Sequence, residues 1–217
     1  MHKKLMKSLP HLWERRFHQG RSLSKPMPSR RSWMSSMPKV KREKILKSET
    51  LFKGKNLNLH RLTVELPSSK LFEDEIIERP SEVAIIPQIS RNEIILTKQF
   101  RRGVGEILLE LPSGKVKRGE TILTAARREL EEETKYKAKK LEKLTETLVA
   151  PSWSTSKCTF FLARELIVDS HPRPHDPDEN IEVVRLTFKK ALAKVASGKI
   201  KDTKTVLGLL LAKRFFA

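Results

Sequence analysis

The chain of 217 residues has a single cysteine, Cys158, which excludes an internal disulfide framework and a metal site built from several cysteines. It stands in Cys158-Thr159-Phe160-Phe161-Leu162, an apolar run that reads as a strand, so a buried structural thiol in a reducing compartment is expected. No apolar stretch approaches the 18 or so residues that a membrane span requires. Methionine is absent after Met37. Acidic residues are scarce at the start: residues 1 to 46 hold 13 Lys or Arg against two Glu, a net of +11 out of a formal +19. Because the excess sits in the first fifth of the chain, it argues against nucleic acid as the partner of the remainder. Pro10, Pro26, Pro28 and Pro38 break any long helix there, and the Lys, Arg and Ser content predicts a disordered tail. Three origins fit it: a mitochondrial-type targeting segment on an otherwise cytoplasmic protein, a true start at Met34 or Met37, or a nucleic-acid tail. Trp13 and Trp33 are too isolated to form a stacking platform.

Thr121 to Thr134 has neither glycine nor proline and is rich in Ala, Leu, Arg and Glu, which predicts a helix. At about 100° per residue, Glu132 lies roughly 60° to one side of Glu129 and Glu133 roughly 40° to the other. Three carboxylates thus crowd one stripe, bordered by Leu123, Ala126 and Leu130 on the face that should meet a core. A divalent cation with oxygen ligands is the simplest remedy for their repulsion. Taken alone, Glu131 to Glu133 would equally suit a solvated helix face with Glu-Arg pairs.

Elsewhere the chain alternates. Residues 48 to 78 carry two or three antiparallel strands, too few to stand alone, broken at Lys53-Gly54-Lys55-Asn56 and Pro67-Ser68-Ser69. Strands follow at Val83 to Pro87, Glu93 to Arg101, Glu106 to Leu111, Leu141 to Val149, Thr159 to Arg164 and Ile181 to Leu186. A helix from Phe188 has Thr187 as its N-cap and Gly198 as its C-cap; a second follows Asp202 and should bury Val206, Leu207, Leu210 and Leu211. This order implies an α/β sandwich rather than a doubly wound sheet. The organisation expected is a tail over 1–46, an N-terminal β arm over 47–79 and a main domain over 80–217.

Gly114 to Tyr136 reads G-x5-E-x7-R-E-L-x-E-E-x-K-Y, carried by Gly114, Glu120, Arg128, Glu129, Glu132 and Glu133. Six such positions coincide by chance in about 10⁻⁵ of chains this long. The pattern resembles the box of the Nudix hydrolase family, with Lys135 where that family has glycine. Phe52-Lys53-Gly54, Gln99-Phe100-Arg101, Glu110 to Lys115, and Pro151 at 15 residues past the box extend the resemblance over roughly 50–215, toward the ADP-ribose pyrophosphatase branch. That resemblance implies an α/β/α sandwich with a mixed sheet, an N-terminal antiparallel β arm that makes a homodimer, and Mg²⁺ (or Mn²⁺) dependent hydrolysis of ADP-ribose to AMP and ribose 5-phosphate. By motif position, Glu129, Glu132 and Glu133 would hold metal with the Ser113 carbonyl, while Glu120 and Arg128 would pair to brace the glycine loop. Arg101 would meet a phosphate or the terminal ribose. The general base is expected from the Asp176 to Glu182 stretch, with Glu179 first and Glu182 second. His171 and His175, flanked by Pro172 and Pro174, are not expected to form a metal pair.

One loop departs. Where the branch has Pro-Gly-Phe-Ser/Thr-Asp-Glu, this chain has Pro151-Ser152-Trp153-Ser154-Thr155-Ser156-Lys157, losing acids and offering Trp153 for ring stacking or loop anchoring. Another nucleotide sugar or a dinucleotide is the alternative substrate. A nucleotide-binding module of slow turnover is the alternative class.

Overall fold

The computed structural model of the protein describes residues 40–171, 173–174 and 180–216. The basic tail up to residue 39 lies outside them, as does Glu179. Residues from Glu43 onward form one compact unit.

Three strands come first: β1 (Lys44–Lys53), β2 (Asn58–Glu65) and β3 (Leu71–Glu78), in an antiparallel sheet of order β1-β2-β3. The expected turns join them. Gly54 N–H bonds to Leu57 O at 2.9 Å, and Ser69 takes a positive φ of 63° in the second turn. Every residue of β1 is exposed, which sets this arm apart from the buried strands that follow.

The main body contains β4 (Glu82–Pro87), β5 (Glu93–Arg101), β6 (Glu106–Glu110), β7 (Ser113–Lys115), α1 (Ile122–Thr134), β8 (Tyr136–Leu148), β9 (Lys157–Val168), β10 (Ile181–Thr187), α2 (Phe188–Ala196), α3 (Thr203–Ala212) and a closing 3₁₀ turn (Lys213–Phe215). A mixed sheet of order β7-β4-β9-β8 has β4 and β9 parallel and its other pairs antiparallel. A second sheet, β10-β5-β6, is antiparallel.

Strand periodicity assigns the two faces. Val83 and Ile85 of β4, with Phe161 and Ala163 of β9, pack against Ala125, Ala126 and Leu130 of α1. Their neighbours Ala84, Ile86, Phe160 and Leu162 face Ala191 of α2 and Leu209 and Ala212 of α3. Strands covered on both sides read as unbroken apolar runs, which is how β4 appears in the sequence. The protein is thus an α/β fold with a mixed sheet between helical layers and a small N-terminal antiparallel β arm. Cys158 is buried in the core on the α2 and α3 side.

Two helix faces differ from expectation. Leu123 is exposed and Ala125 takes the core position beside Ala126 and Leu130. In α3 the buried residues are Thr205, Gly208, Leu209 and Ala212, while Leu210 is 54% exposed. The run Val206 to Leu211 is apolar nearly all round, so its periodicity does not choose a face. Close approach chooses it: a Cβ on Gly208 would stand 2.4 Å from Leu111 Cδ1, and Thr205 Oγ1 accepts the Leu111 N–H at 2.9 Å. The C-cap of α2 is Ser197, with Gly198 following at φ 70°.

Candidate active site

Helix α1 starts where Thr121 Oγ1 accepts the Thr124 N–H at 3.1 Å, a cap that fixes the rotation of the acidic stripe. Glu129, Glu132 and Glu133 are all buried, the last at 1% exposure. Ionised side chains leave water only when partners replace the lost hydration. Arg128 supplies much of that: Nη1 donates to Glu129 Oε1 at 2.6 Å and to Glu132 Oε2 at 2.9 Å. Its Nε and Nη2 form a two-pronged contact with Glu120, both at 2.9 Å, and Nη2 also donates to Lys115 O at 2.9 Å. Burial disfavours the Arg128 cation, and Glu120, Glu129 and Glu132 more than offset that, raising its pKa. The bonds from Arg128 hold the Glu120 carboxyl below the usual carboxylate range.

The glycine loop closes over this cluster. The Ser113 N–H donates to Glu133 Oε2 at 3.1 Å, and Glu120 Oε2 accepts the Lys117 N–H at 3.0 Å. Gly114 is required by contact, since a Cβ there would lie 2.1 Å from Glu129 Oε1. Ser113, Gly114, Glu120, Arg128, Glu129, Glu132 and Glu133 therefore converge.

Three carboxylates share one guanidinium, and a fourth, Glu133, lies in the same helical turn. Hard oxygen donors of this kind suit Mg²⁺, which keeps several waters and needs only one or two carboxylates from the protein. The donor set fits the ion in chemistry, with the Glu129 carboxylate seated in the space that a Cβ on Gly114 would take. Among the described residues no three acidic, His or Cys side chains form a ready-made cage.

Arg101 stands nearby, and Glu133 is one of the carboxylates that favour its cation. Its Nε and Nη2 bind Glu110, which is 2% exposed, at distances from 2.5 to 3.1 Å. Nη1 has no partner among the described residues, and 37% of the side chain is open to solvent. Burial opposes the Arg101 charge, and Glu110 outweighs it to raise the pKa. Glu110 is a site residue that motif reading quoted without a role. Its signal is a carboxylate that closes the apolar run Ile107-Leu108-Leu109 just before Leu111, where a cation must meet it if it is buried.

The remaining candidates are placed elsewhere. Glu182 sits opposite Lys98 on β10 and β5 and pairs with it at 3.0 Å. Lys98 shares its face of β5 with Ile94 and Leu96, toward α2 and α3, whereas Arg101 projects from the other face. Trp153 is 51% exposed, on a loop laid against the arm: its carbonyl accepts the Ile77 N–H at 2.8 Å, and Ile77 pairs in parallel with Ser154. His171 is described, bonded through its N–H to Asp169 Oδ1 at 3.1 Å; His175 is outside the described residues.

A hollow of about 280 Å³ lies between the β1–β2 turn and the end of β3, lined by Gly54, Lys55, Asn56, Leu57, Asn58, Glu78, Arg79 and Pro80. Lys115 of the glycine loop reaches its rim, with Nζ donating to Asn56 Oδ1 at 2.9 Å.

Comparison with known proteins agrees with this architecture. The NUDIX domain family model matches residues 78–205. An ADP-ribose pyrophosphatase of Bacillus subtilis (strain 168) is 39% identical over 167 residues, covering 77% of this chain and 90% of that one. A methanol dehydrogenase activator of Bacillus methanolicus is 32% identical over 173 residues, covering 80% and 94%. A crystal structure of an ADP compounds hydrolase shares the fold, with a TM-score of 0.74 at 23% identity over 82% of this chain and 96% of that one. The chain belongs to the Nudix family of pyrophosphohydrolases.

Proposed function

We propose that the protein hydrolyses the pyrophosphate of a nucleoside diphosphate sugar, and specifically ADP-ribose to AMP and ribose 5-phosphate. The observation that carries this reading is the convergence of Glu129, Glu132 and Glu133 beneath the Ser113-Gly114 loop, oriented by Arg128 and Glu120. The Bacillus subtilis relative, named an ADP-ribose pyrophosphatase, supports the substrate.

In this reading Glu129, Glu132 and Glu133, with the Ser113 carbonyl, hold Mg²⁺ or Mn²⁺. When bound, the ion would offset pyrophosphate charge and lower the pKa of a water. Arg128 keeps Glu129 and Glu132 aimed, and Glu120 keeps Arg128 in place. Arg101, fixed by Glu110 along one edge, offers its Nη1 edge to a phosphate or the terminal ribose. The connection between β9 and β10 supplies the general base, with Glu179 the candidate; Glu182, the second choice from sequence, pairs with Lys98 on the α2 and α3 face, away from the cluster. The hollow beside Lys115 is placed to receive the nucleoside half. Trp153, at the arm edge, is left for ring stacking or anchoring of its loop.

The arm completes the protein as a homodimer. Ile45, Leu46, Phe52, Leu71 and Phe72 are exposed on it by 48% to 66%, the kind of apolar surface that supports an interaction between copies. A second copy would cover it.

Purified protein incubated with Mg²⁺ and a panel of nucleotide sugars, with products identified by mass, tests the reading. AMP and ribose 5-phosphate from ADP-ribose are expected. No hydrolysis of any panel member would overturn it in favour of a binding module.

A further inference from the structure

The hollow between the β1–β2 turn and the end of β3 carries charges that an uncharged nucleoside does not call for. Lys55 and Arg79 line it, and Lys115 reaches its rim. Lys55 makes no hydrogen bond or ion pair among the described residues. Arg79 is fixed along one edge: Nη2 donates to Glu82 Oε1 at 3.2 Å, while Nε and Nη1 have no partner among the described residues and 38% of the side chain is exposed. Lys115 Nζ gives one bond, to Asn56 Oδ1 at 2.9 Å, and an ammonium has three donors. Two carboxylates stand against these cations. Glu78 is already engaged, its Oε2 accepting Asn58 Nδ2 at 2.7 Å and lying 3.2 Å from His60 Nε2. Glu82 is buried and shared with Lys204 Nζ of α3 at 3.0 Å. Lys55, Arg79, Lys115 and Lys204 thus stand against Glu78 and Glu82, with donors left over at the hollow. None of the lining residues is aromatic, so a purine finds no ring there to stack on. Spare donors on guanidinium and ammonium groups suit an oxyanion instead. Lys115 also ties the hollow to the glycine loop, because its carbonyl accepts Arg128 Nη2 at 2.9 Å while its ammonium stands at the rim.

We propose that the hollow is a subsite for a phosphate monoester on the ribose of the nucleoside half, so that the protein prefers nucleotides phosphorylated there over ADP-ribose itself. The inference rests on the reading that the nucleoside half of a nucleotide sugar enters the hollow. Arg79, held by Glu82, offers its free edge to the phosphate oxygens, and Lys55 and Lys115 add point charges. The plain ribose hydroxyl of ADP-ribose accepts from the same cations through bonds roughly half as strong as those a phosphate would make. Free orthophosphate shares the chemistry of the ester and is the other source that these donors accept.

Calorimetric titration of the metal-free full chain compares adenosine 2′,5′-bisphosphate, adenosine 3′,5′-bisphosphate, AMP and inorganic phosphate. One of the bisphosphates should bind about tenfold or more tighter than AMP, and the preference should shrink as salt is raised. Lys55 is exposed and makes no bond among the described residues, so K55M should fold as wild type does. K55M should lose about fivefold of the preference and K55M/R79Q nearly all of it, with AMP affinity within about twofold. K199M removes the same charge just past α2 and should keep the preference. With Mg²⁺ present, ADP-ribose carrying the favoured extra phosphate should show a lower KM than ADP-ribose in wild type and an equal one in K55M/R79Q. Equal affinity for AMP and both bisphosphates would overturn the subsite, and so would a preference that survives K55M/R79Q in a folded protein. Inorganic phosphate that binds as tightly as the favoured bisphosphate, and is lost in K55M/R79Q, would overturn the nucleotide as the source. If the wild type hydrolyses no nucleotide sugar, the proposed function fails on its own account and the calorimetric preference still decides the subsite.

Discussion

Gly114→Ala tests the geometry of the site without touching a charged group. The backbone of Gly114 is not in the left-handed region, so alanine meets no torsional penalty there. The conflict is with one side chain: the new Cβ would lie 2.1 Å from Glu129 Oε1 and 2.4 Å from Oε2, well inside the 3.0 Å that real Cβ contacts respect. Glu129 must swing away and break its 2.6 Å bond to Arg128 Nη1. A charge-assisted bond of this kind contributes about 1.5–3 kcal/mol, so at about 2–4 °C per kcal/mol for a domain of this size Tm should fall by about 3–12 °C. Displacing one proposed ligand should also raise the Mg²⁺ concentration for half-maximal rate by about 10- to 100-fold. Thermal scans and Mg²⁺ titrations of initial rate read the two effects. Gly208→Ala is the control, because its Cβ would strike Leu111 at 2.4 Å in the opposite layer. It should lower Tm and leave the Mg²⁺ titration alone. A Gly114→Ala protein with wild-type Tm and wild-type Mg²⁺ dependence would refute the close contact and the ligand role built on it.

Other expectations follow from the same structure. Burial pushes the Cys158 thiol up to about 12, so it should resist a disulfide reagent at pH 8 in the native protein and react fully once unfolded; fast native labelling would contradict its burial. Glu120 has its folded pKa depressed below 4.5 by Arg128. Its stabilisation is therefore complete above about pH 4.5 and is lost as pH falls through the folded value. Glu120→Gln should lower Tm at pH 7 and flatten the acid side of the Tm profile, and an unaltered profile would count against the pair. Replacing Phe52 and Phe72 together by Asp should convert a dimer into a monomer in light scattering, whereas a monomeric wild type would exclude the arm as a dimer surface. Removing residues 1–36 should leave turnover within about twofold, a difference near 0.4 kcal/mol; a large loss in a folded protein would assign the tail a part in the reaction.

Local rules made much of this legible. Thr187 caps α2 and Asp202 caps α3 as their positions in the sequence imply, each through its own side chain, because capping is decided within three residues; Thr121, expected inside α1, caps it in the same way. The carboxylate stripe and its brace follow from helical spacing and motif. What escaped depends on distant residues. The buried face of α3 is set by Leu111 across the layer, and an apolar run with no polar side gives no hint of it. Lys135 raised a question in the sequence, and its ammonium finds a partner 38 residues away, at Arg173 O, 2.9 Å from Nζ. Glu110 is quoted by the motif, yet its bond to Arg101 exists only because β5 and β6 pair in one register. The serine-rich loop after Pro151 gives no sign of joining the arm, since a backbone bridge such as Ile77 to Ser154 leaves no mark on side-chain identity.

The central claim is that the buried carboxylates of α1 hold the ion on which hydrolysis depends. The most direct test titrates Mg²⁺ against the initial rate of ADP-ribose hydrolysis for wild type, Glu133→Gln and Glu179→Gln. Glu133→Gln should lower both Mg²⁺ affinity and maximal rate, by about 10² or more in rate. Glu179→Gln should lower the rate and leave Mg²⁺ affinity nearly intact, because a base acts on the water. Full activity at wild-type Mg²⁺ affinity in Glu133→Gln would contradict the claim.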